Sequence, residues 1–379
     1  MGIEAALYVH IPFCRTKCPY CDFYSLPFPD PEKIPVKEFL HALKKEISLW
    51  QPLVETYEFV TFYVGGGTPS LIPPAFYQEL FAFLKASLNF RPEEATIEVN
   101  PEGLTFEALS DYRKIFNRIS IGAQSFTEKG LKALGRRHSV DDTQKAISLA
   151  RKAGFSNLSL DMIYAWPGET LKELEHELEL LFSFEPQHVS CYELTPEPDT
   201  PLWQAIKRKK ITLLPEEQII EFFWLIHDFL EDKGFEHYEI SNYAKPGYQC
   251  KHNLFYWQAR PYLGLGPGGA SFLENKRFKN QENLVGYLEA LRQEHFPPRD
   301  EETLDAEARF REAVILSLRL LKGISLSEFK RRFDFDVLDY YGEIIEKLVR
   351  NGLLILEKDR LRLSRKGLLL SNLVFRELV

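Results

Sequence analysis

The chain has 379 residues, of which 45% are apolar and 27% are charged, a composition typical of a folded globular protein. This composition excludes collagen-like, low-complexity and wholly disordered chains. The formal net charge of −8 provides no overall positive field that would draw the chain to nucleic acid or to an anionic membrane. No apolar run reaches the ~18 residues that a membrane span requires, so we expect a cytoplasmic protein of two or three domains, as a monomer or homodimer.

The first half of the chain alternates short β-branched or aromatic runs with longer amphipathic segments, which is the pattern of repeated βα units. The runs predicted as strands are 5–11, 59–64, 96–99, 118–121, 157–163 and 188–193. The segments predicted as helices are 36–50, 74–88, 105–114, 140–153 and 171–182. The strands read as nearly continuously apolar, as in a parallel sheet. Six units are too few to close an eight-stranded barrel, so this α/β pattern predicts a partial (β/α)6 TIM-like barrel, with an open doubly wound sheet as the alternative.

The remainder of the chain predicts two further regions after a barrel over 1–214. Residues 215–298 contain a predicted helix at 216–233 and a loop-rich stretch, and the Pro297-Pro298 pair marks a boundary. Residues 299–379 form a predicted winged-helix-like α+β domain, with helices at 307–321, 325–333 and 341–351 and a hairpin over 353–364. From Asp305 onward, 15 Lys or Arg stand against 12 Asp or Glu. This weak basic bias favours a structural or docking module, and nucleic acid is not an expected partner.

Three of the five cysteines, Cys14, Cys18 and Cys21, fall within eight residues directly after the first predicted strand. That spacing lets three thiolates from one loop meet at one metal centre. Iron–sulfur cubanes usually take four cysteine ligands, so three suggest an iron that is free to bind something else. The alternatives are a structural zinc site completed by a histidine such as His10, or three unrelated core cysteines. Cys191 lies in an apolar strand and is interpreted as a small core residue.

The cysteine loop after a first strand resembles the signature of the radical S-adenosylmethionine (SAM) enzymes. The resemblance implies that Cys14, Cys18 and Cys21 hold a 4Fe-4S cluster whose fourth iron is chelated by the amino and carboxylate groups of SAM. In that family an electron from the reduced cluster cleaves SAM to methionine and a 5′-deoxyadenosyl radical, so an electron donor is an implied partner.

Motifs further along the chain agree with the resemblance: 65–70 (GGGTPS), 98–102 (EVNPE), 121–126 (IGAQSF), 134–138 (LGRRH) and 160–163 (LDMI). The residues that the resemblance implies as SAM contacts are Tyr8, Gly66, Gly67, Thr68, Glu98, Gln124, Arg136 and Asp161. Taken singly, Glu98, Arg136 and Asp161 could equally form ion pairs on a barrel rim, and Gln124 could be a strand-end amide. Their shared position at the predicted carboxyl ends of strands favours the SAM interpretation.

Nearly the whole chain is similar to the heme chaperones of the HemW type. Their paralogues, the oxygen-independent coproporphyrinogen III dehydrogenases, decarboxylate two propionates and remain the alternative function. In the dehydrogenases the cysteine loop continues as Cys-Gly-Cys, whereas here Asp22 and Phe23 follow Cys21. They also carry a substantial N-terminal extension, whereas this chain begins a few residues before its first strand. We therefore expect no coproporphyrinogen III dehydrogenase activity.

Residues 252–257 (HNLFYW) match the HNxxYW motif that is associated with heme binding in those chaperones. The resemblance implies a heme site formed by His252, Asn253, Tyr256 and Trp257, with Cys250 as an alternative thiolate ligand, and a heme acceptor protein as partner. Without the resemblance, His252 would be a loop histidine and the aromatics would be packing residues. The glycine-rich stretch 262–271 is interpreted as a wall of the cofactor cavity or an ordinary turn. A third hypothesis makes the C-terminal segment an adaptor and the cluster a redox sensor.

Overall fold

A computed structural model describes residues 2–379. Its strands are β1 (Ile3–Ile11), β2 (Phe13–Cys14), β3 (Leu26–Pro27), β4 (Tyr57–Gly66), β5 (Phe90–Val99), β6 (Arg118–Gln124), β7 (Asn157–Tyr164), β8 (His188–Glu193), β9 (Glu236–Glu239), β10 (Asn242–Ala244), β11 (Tyr262–Leu265), β12 (Ala270–Leu273), β13 (Lys276–Asn280), β14 (Arg299–Thr303), β15 (Ile324–Ser325), β16 (Leu354–Glu357) and β17 (Arg360–Leu363).

The helices are α1 (Val36–Trp50), α2 (Pro74–Ser87), α3 (Phe106–Arg113), α4 (Glu128–Ala133), α5 (Val140–Lys152), α6 (Leu171–Ser183), α7 (Pro201–Lys207), α8 (Glu216–Asp232), α9 (Lys251–Trp257), α10 (Leu284–Arg292), α11 (Ala306–Ser317), α12 (Leu326–Phe333), α13 (Val337–Arg350), α14 (Arg365–Leu369) and α15 (Ser371–Glu377). Short 3₁₀ turns cover Pro31–Lys33, Gln51–Leu53 and Pro69–Leu71. Within residues 2–379, each helix is too short or too polar to cross a lipid bilayer.

The six predicted barrel strands are all present, and they lie side by side in chain order as β1, β4, β5, β6, β7 and β8. All five neighbouring pairs among them are parallel. The sheet ends at β14 on one side and at β9 on the other, and within the described residues these two strands do not pair, so the barrel is open. The predicted partial barrel is therefore confirmed.

The helices between these strands form where the sequence supplies both an apolar face and a polar cap. Ser139 caps α5 and Thr170 caps α6, each in a reciprocal capping box with an acidic residue three positions later. Thr105 caps α3 through its hydroxyl. Their inward faces, together with the apolar side chains of the strands, form one large buried core.

Residues 215–298 are more regular than their composition predicts. In place of the expected loop-rich stretch they contribute α9, α10 and five strands, which extend the sheet at both edges. β11 pairs parallel to β1, while β12, β13 and β14 continue antiparallel. The sheet thus runs through 299–303, beyond the boundary that the Pro pair suggested. Each of these added strands has only three to five residues, which is too short for its periodicity to be recognised.

The C-terminal region has the predicted winged-helix-like arrangement, with α11, α12 and α13 followed by the β16–β17 hairpin. The short strand β15 joins the hairpin as a third strand, and a separate apolar cluster forms the core of this region. It docks on the barrel by polar contacts to backbone carbonyls at the C-terminal end of α9. Ser317 Oγ donates to the Trp257 carbonyl at 2.9 Å, and Arg332 Nη1 donates to the Gln258 carbonyl at 2.6 Å.

Candidate functional site

The cysteine loop lies at the carboxyl ends of the parallel strands. It leaves β1 through the short strand β2, which pairs parallel with β3 and so closes the loop on itself. All three cysteine side chains line one cavity of 380 Å³, and each is partly exposed. The Arg15 guanidinium pairs with Glu102 at 3.1 Å, which ties the loop to the segment that follows β5.

The glycine motif after β4 packs directly against the cysteine strand. The Gly67 amide donates to the Ile11 carbonyl and the Thr68 amide donates to the Phe13 carbonyl, each at 2.8 Å. A Cβ atom on Gly67 would lie 2.6 Å from the Phe13 oxygen, a distance that real Cβ atoms do not show. Gly67 is therefore required by backbone packing beside Cys14, and it lines the same cavity.

Polar groups reach two of the three cysteine sulfurs. The Thr68 hydroxyl donates to Cys14 Sγ at 3.4 Å, and Arg136 Nη1 donates to Cys18 Sγ at 3.3 Å. Burial raises the pKa of the Cys14 thiol and raises the pKa of the Cys21 thiol to about 11. The raised pKa values favour the protonated thiols. A metal ion would reverse this preference for the protonated form, because coordination deprotonates a thiol outright.

The three-thiol set fits an iron–sulfur cluster. Within residues 2–379 the structure brings no three His, Cys, Asp or Glu side chains close enough to share a single metal ion. A cubane has a different requirement, since each thiolate binds a different iron atom and the sulfurs need only face one space. Cys14, Cys18 and Cys21 meet that requirement by lining one cavity, with hydrogen-bond donors beside two of them.

Two half-buried carboxylates line the same cavity. Glu98, near the end of β5, accepts from the Tyr63 hydroxyl at 2.7 Å and from the Gly66 amide at 3.2 Å. Burial raises the pKa of Glu98 to about 7, and the negative charge of Asp161 adds to the rise. Asp161, on β7, accepts from Ser120 at 3.0 Å, and burial raises its pKa as well. Such carboxylates can accept hydrogen bonds from hydroxyl groups or pair with a cationic guest.

The structure brings together most of the residues that the resemblance assigned to SAM. Seven of them line the cysteine cavity: Gly66, Gly67, Thr68, Glu98, Gln124, Arg136 and Asp161. Gln124 ends β6 with a left-handed backbone, at φ 65°. Arg136 donates to Asn100 as well as to Cys18. Tyr8 is placed differently: it lines a neighbouring cavity, and its hydroxyl lies 3.1 Å from His10 Nδ1.

The residues assigned to heme are divided among three environments. Asn253 lines the cysteine cavity, whereas Tyr256 and Trp257 line the neighbouring one. His252 lies on helix α9 rather than on the expected loop, is 1% exposed, and stacks on the Tyr63 ring. Cys250 is fully buried at the start of the same helix, and burial raises the pKa of its thiol to about 12.

Both ring nitrogens of His252 already have hydrogen-bond partners. Nδ1 lies 2.9 Å from the Thr61 hydroxyl, and Nε2 lies 2.8 Å from the Tyr256 hydroxyl. Burial, together with the nearby positive charge of Arg118, lowers the pKa of His252 to about 3. The imidazole is therefore neutral at physiological pH, and its contact with the neighbouring cavity runs through Tyr256.

The neighbouring cavity has a volume of 590 Å³ and lies between the extended sheet and helix α11. Its aromatic lining includes Tyr8, Tyr24, Tyr256, Trp257, Tyr262 and Phe272. Cationic groups also line it, from Arg277 and Lys279 on β13 and from Arg309 on α11. The glycine-rich stretch contributes Tyr262, Gly268 and Ala270 to the lining of this second cavity and no residue to the lining of the cysteine cavity.

Several polar residues of the cysteine cavity were missed by the sequence analysis. On β6 they are Arg118 and Ser120, and on β8 they are His188, Ser190 and Tyr192. Each set occupies alternate positions, and alternate strand residues face the same side of a sheet. Polar alternation within otherwise apolar strands could have revealed them. The interpretation of these strands as continuously apolar was therefore wrong for β6 and β8, whose inward faces are polar.

Two family models and a solved structure match this chain. A family model described as the radical SAM superfamily matches residues 8–181, and a model described as the HemN C-terminal domain matches residues 304–370. The solved structure of coproporphyrinogen III oxidase (HemN) from Escherichia coli matches with a TM-score of 0.85, covering 100% of this chain and 90% of that one at 23% identity. An open barrel with a three-cysteine loop at its mouth is the architecture of a radical SAM protein.

Relatives that are similar over most of the chain show which family of the radical SAM superfamily it belongs to. The protein named heme chaperone HemW in Bacillus subtilis is 32% identical over 97% of both chains. The protein of that name in Mycobacterium tuberculosis is 32% identical over 100% of this chain and 95% of its own. The protein of that name in Escherichia coli is 36% identical over 69% of this chain and 68% of its own. This chain belongs to the HemW family of the radical SAM superfamily.

Proposed function

We propose that this protein is a heme chaperone, which holds one heme and passes it to an acceptor protein in the cytoplasm. The proposal is supported by the names of the full-length relatives and by the motif over 252–257, whose aromatics line a second cavity beside the cysteine cavity. A chaperone needs a cargo site that is separate from its cofactor site. The two adjacent cavities are the observation on which the proposal depends.

In this proposal a 4Fe-4S cluster binds to Cys14, Cys18 and Cys21, and SAM binds in the same cavity. When bound, the pair supplies a one-electron route to a 5′-deoxyadenosyl radical. The chain's own residues orient and enclose these groups. Arg136 can pair with the methionine carboxylate, and Glu98 or Asp161 can accept from ribose hydroxyls or from the ammonium group.

Heme titration of the anaerobically reconstituted protein tests the proposal. We expect the Soret absorption to shift and to saturate at one heme per chain, and bound heme to pass to an apo-hemoprotein when the two are mixed. A wild-type protein that carries its full iron and sulfide but leaves the Soret band of free heme unchanged would contradict the chaperone function.

The alternative function, oxygen-independent coproporphyrinogen III dehydrogenase, is motivated by the cysteine cavity, which has the carboxylates and the volume of an enzyme site. The same anaerobic preparation, given reductant, SAM and coproporphyrinogen III, decides between the two. We expect no protoporphyrinogen. Turnover to protoporphyrinogen would make the protein an enzyme of that branch.

A further inference from the structure

The second cavity combines two features that a heme requires. Its 590 Å³ lies within the ~300–1,000 Å³ that bound small molecules occupy, and its aromatic lining offers faces on which a flat macrocycle can stack. Heme also carries two propionate carboxylates, which need cationic partners at one edge of the site. The three cationic side chains that line the cavity, on β13 and α11, are the candidates for that role.

Two of the three cavity cations are already neutralised. Arg277 pairs with Glu302 at 2.6 Å and with Glu312 at 3.1 Å. Lys279 pairs with Glu282 at 2.6 Å. Arg309 differs from both: among residues 2–379 no carboxylate lies within salt-bridge distance of its guanidinium, and its Nε is buried without a hydrogen-bond partner.

The motif histidine reaches this cavity only through a neighbour. His252 does not line the cavity, while Tyr256 does, and the two are joined by the 2.8 Å contact between Nε2 and the phenol oxygen. The other nitrogen of His252 is held by Thr61, so the imidazole is fixed in orientation. A tyrosine oxygen is an established type of heme iron ligand.

We propose, on the basis of the chaperone function above, that heme binds in the cavity between the extended sheet and α11. Arg309 pairs with a propionate, and the Tyr256 phenol oxygen ligates the ferric iron. His252 is a positioning residue that holds Tyr256 by its hydrogen bond. On ligation one Fe–O bond forms and the phenol proton leaves to solvent, with no change in the oxidation state of the iron. The C-terminal region thereby closes the cargo site.

Titration with two forms of ferric heme tests the role of Arg309. Arg309→Gln should weaken binding of heme about 10- to 100-fold, the range expected for a lost charge-assisted pair. It should leave binding of heme dimethyl ester, which lacks free carboxylates, unchanged. The matched control Arg376→Gln changes an exposed arginine on α15 and should affect neither ligand. An equal loss for both ligands, or no loss for heme, would overturn the propionate assignment.

Electronic spectra of the ferric complexes test the iron ligand. Wild-type protein should show a phenolate-to-iron charge-transfer band that Tyr256→Phe abolishes. His252→Gln, which keeps a hydrogen-bonding group beside Tyr256, should retain the band at a shifted wavelength. If Tyr256→Phe keeps the wild-type spectrum and His252→Gln loses it, then His252 is the ligand and the assignment fails.

The two proposals fail in different ways. A wild-type protein that binds no heme removes the chaperone function and the site together. If the wild-type protein and the Arg309 and Tyr256 variants all bind heme with the same affinity and spectrum, then only the assignment of the site fails. Circular dichroism and thermal unfolding of each variant confirm that it is folded before the titration is interpreted.

Discussion

The two cavities lie side by side but are built in different ways. The cysteine cavity is formed by consecutive βα units, and successive strands each contribute polar residues to it. The second cavity joins β1, α9, β13 and α11, which lie far apart in the chain. The comparison shows that one cavity can follow from a repeated local pattern, whereas the cavity beside it depends on how a separate region docks.

The cavities also differ in electrostatics. The cysteine cavity is lined by the half-buried carboxylates Glu98 and Asp161 and by Arg118, which is 2% exposed. The second cavity holds most of its charges in partly exposed pairs. Buried charges are strongly coupled to their surroundings, whereas exposed pairs contribute little. Substitutions in the first cavity should therefore have the larger effects.

The largest expected effect comes from removing the three proposed cluster ligands. A variant with Cys14→Ala, Cys18→Ala and Cys21→Ala should contain no iron or inorganic sulfide after anaerobic reconstitution, because no thiolate remains to bind the cluster. Its affinity for heme should stay within about threefold of the wild-type value, if the cavities are separate sites. Iron, sulfide and heme titration are measured on one preparation.

Cys191→Ala is the matched control, because Cys191 is a buried strand cysteine outside the cavity. It should keep the full iron content. Complete loss of heme binding in the triple variant would show instead that the two cavities form one site.

The next largest effect is expected from Gly67→Ala. The new methyl group would lie 2.6 Å from the Phe13 carbonyl oxygen. This contact can be relieved only if the backbone at Gly67 or at Phe13 shifts. We expect the free energy of unfolding to fall by about 1–3 kcal/mol, measured by urea denaturation. The cluster content should fall as well, since the strand that carries Cys14 must shift.

Gly247→Ala is the control that separates the cost of backbone strain from the cost of a steric clash beside Cys14. Gly247 has a left-handed backbone at φ 84°, but an added Cβ would meet nothing within 4 Å. It should reduce stability by about 1–2 kcal/mol and leave the iron content unchanged. An equal loss of iron in both variants would contradict the proposed packing role of Gly67.

A smaller effect should appear in the pH dependence of stability. The folded-state pKa of Glu98 is about 7, raised from 4.5, so the unfolded chain releases this proton first as pH rises. The unfolded state then binds fewer protons, and stability falls between about pH 4.5 and about pH 7. In the wild-type protein the free energy of unfolding should decrease by on the order of 1–3 kcal/mol across that window. Glu98→Gln should abolish this decrease, as measured by denaturation across pH.

Glu346→Gln, on the exposed face of α13, provides the comparison for this measurement. It should leave the slope of stability against pH as in the wild type. A Glu98→Gln profile that parallels the wild-type profile would mean that burial of this carboxyl does not control the pH response.

The smallest effect is expected within the second cavity, from Lys279→Gln. Lys279 is half-exposed and already paired with Glu282, so its removal costs only an exposed pair. Heme affinity should change by less than about threefold, in contrast to Arg309→Gln. If the two variants weaken heme binding equally, then a diffuse positive field rather than the unpaired Arg309 recognises the propionates.

Sequence reasoning went furthest where structure is local. The predicted bounds of α1 match the structure to the residue, and those of α5 and α6 match to within one residue at each end. Apolar periodicity marks all three helices, and a capping residue also marks the start of α5 and of α6. It failed at α9, where His252 was expected on a loop. A seven-residue helix with four aromatic or histidine side chains carries too little periodicity to be recognised.

The sequence by itself determined the βα rhythm, the three-cysteine loop and the glycine motif, because each is encoded within a few neighbouring residues. Only the tertiary structure decided that Tyr8 lies apart from the other predicted SAM residues, that His252 is enclosed between Thr61 and Tyr256, and that Arg309 reaches the second cavity. The physical reason is range: these placements follow from sheet register and from docking of α11, which bring together residues up to about 300 positions apart.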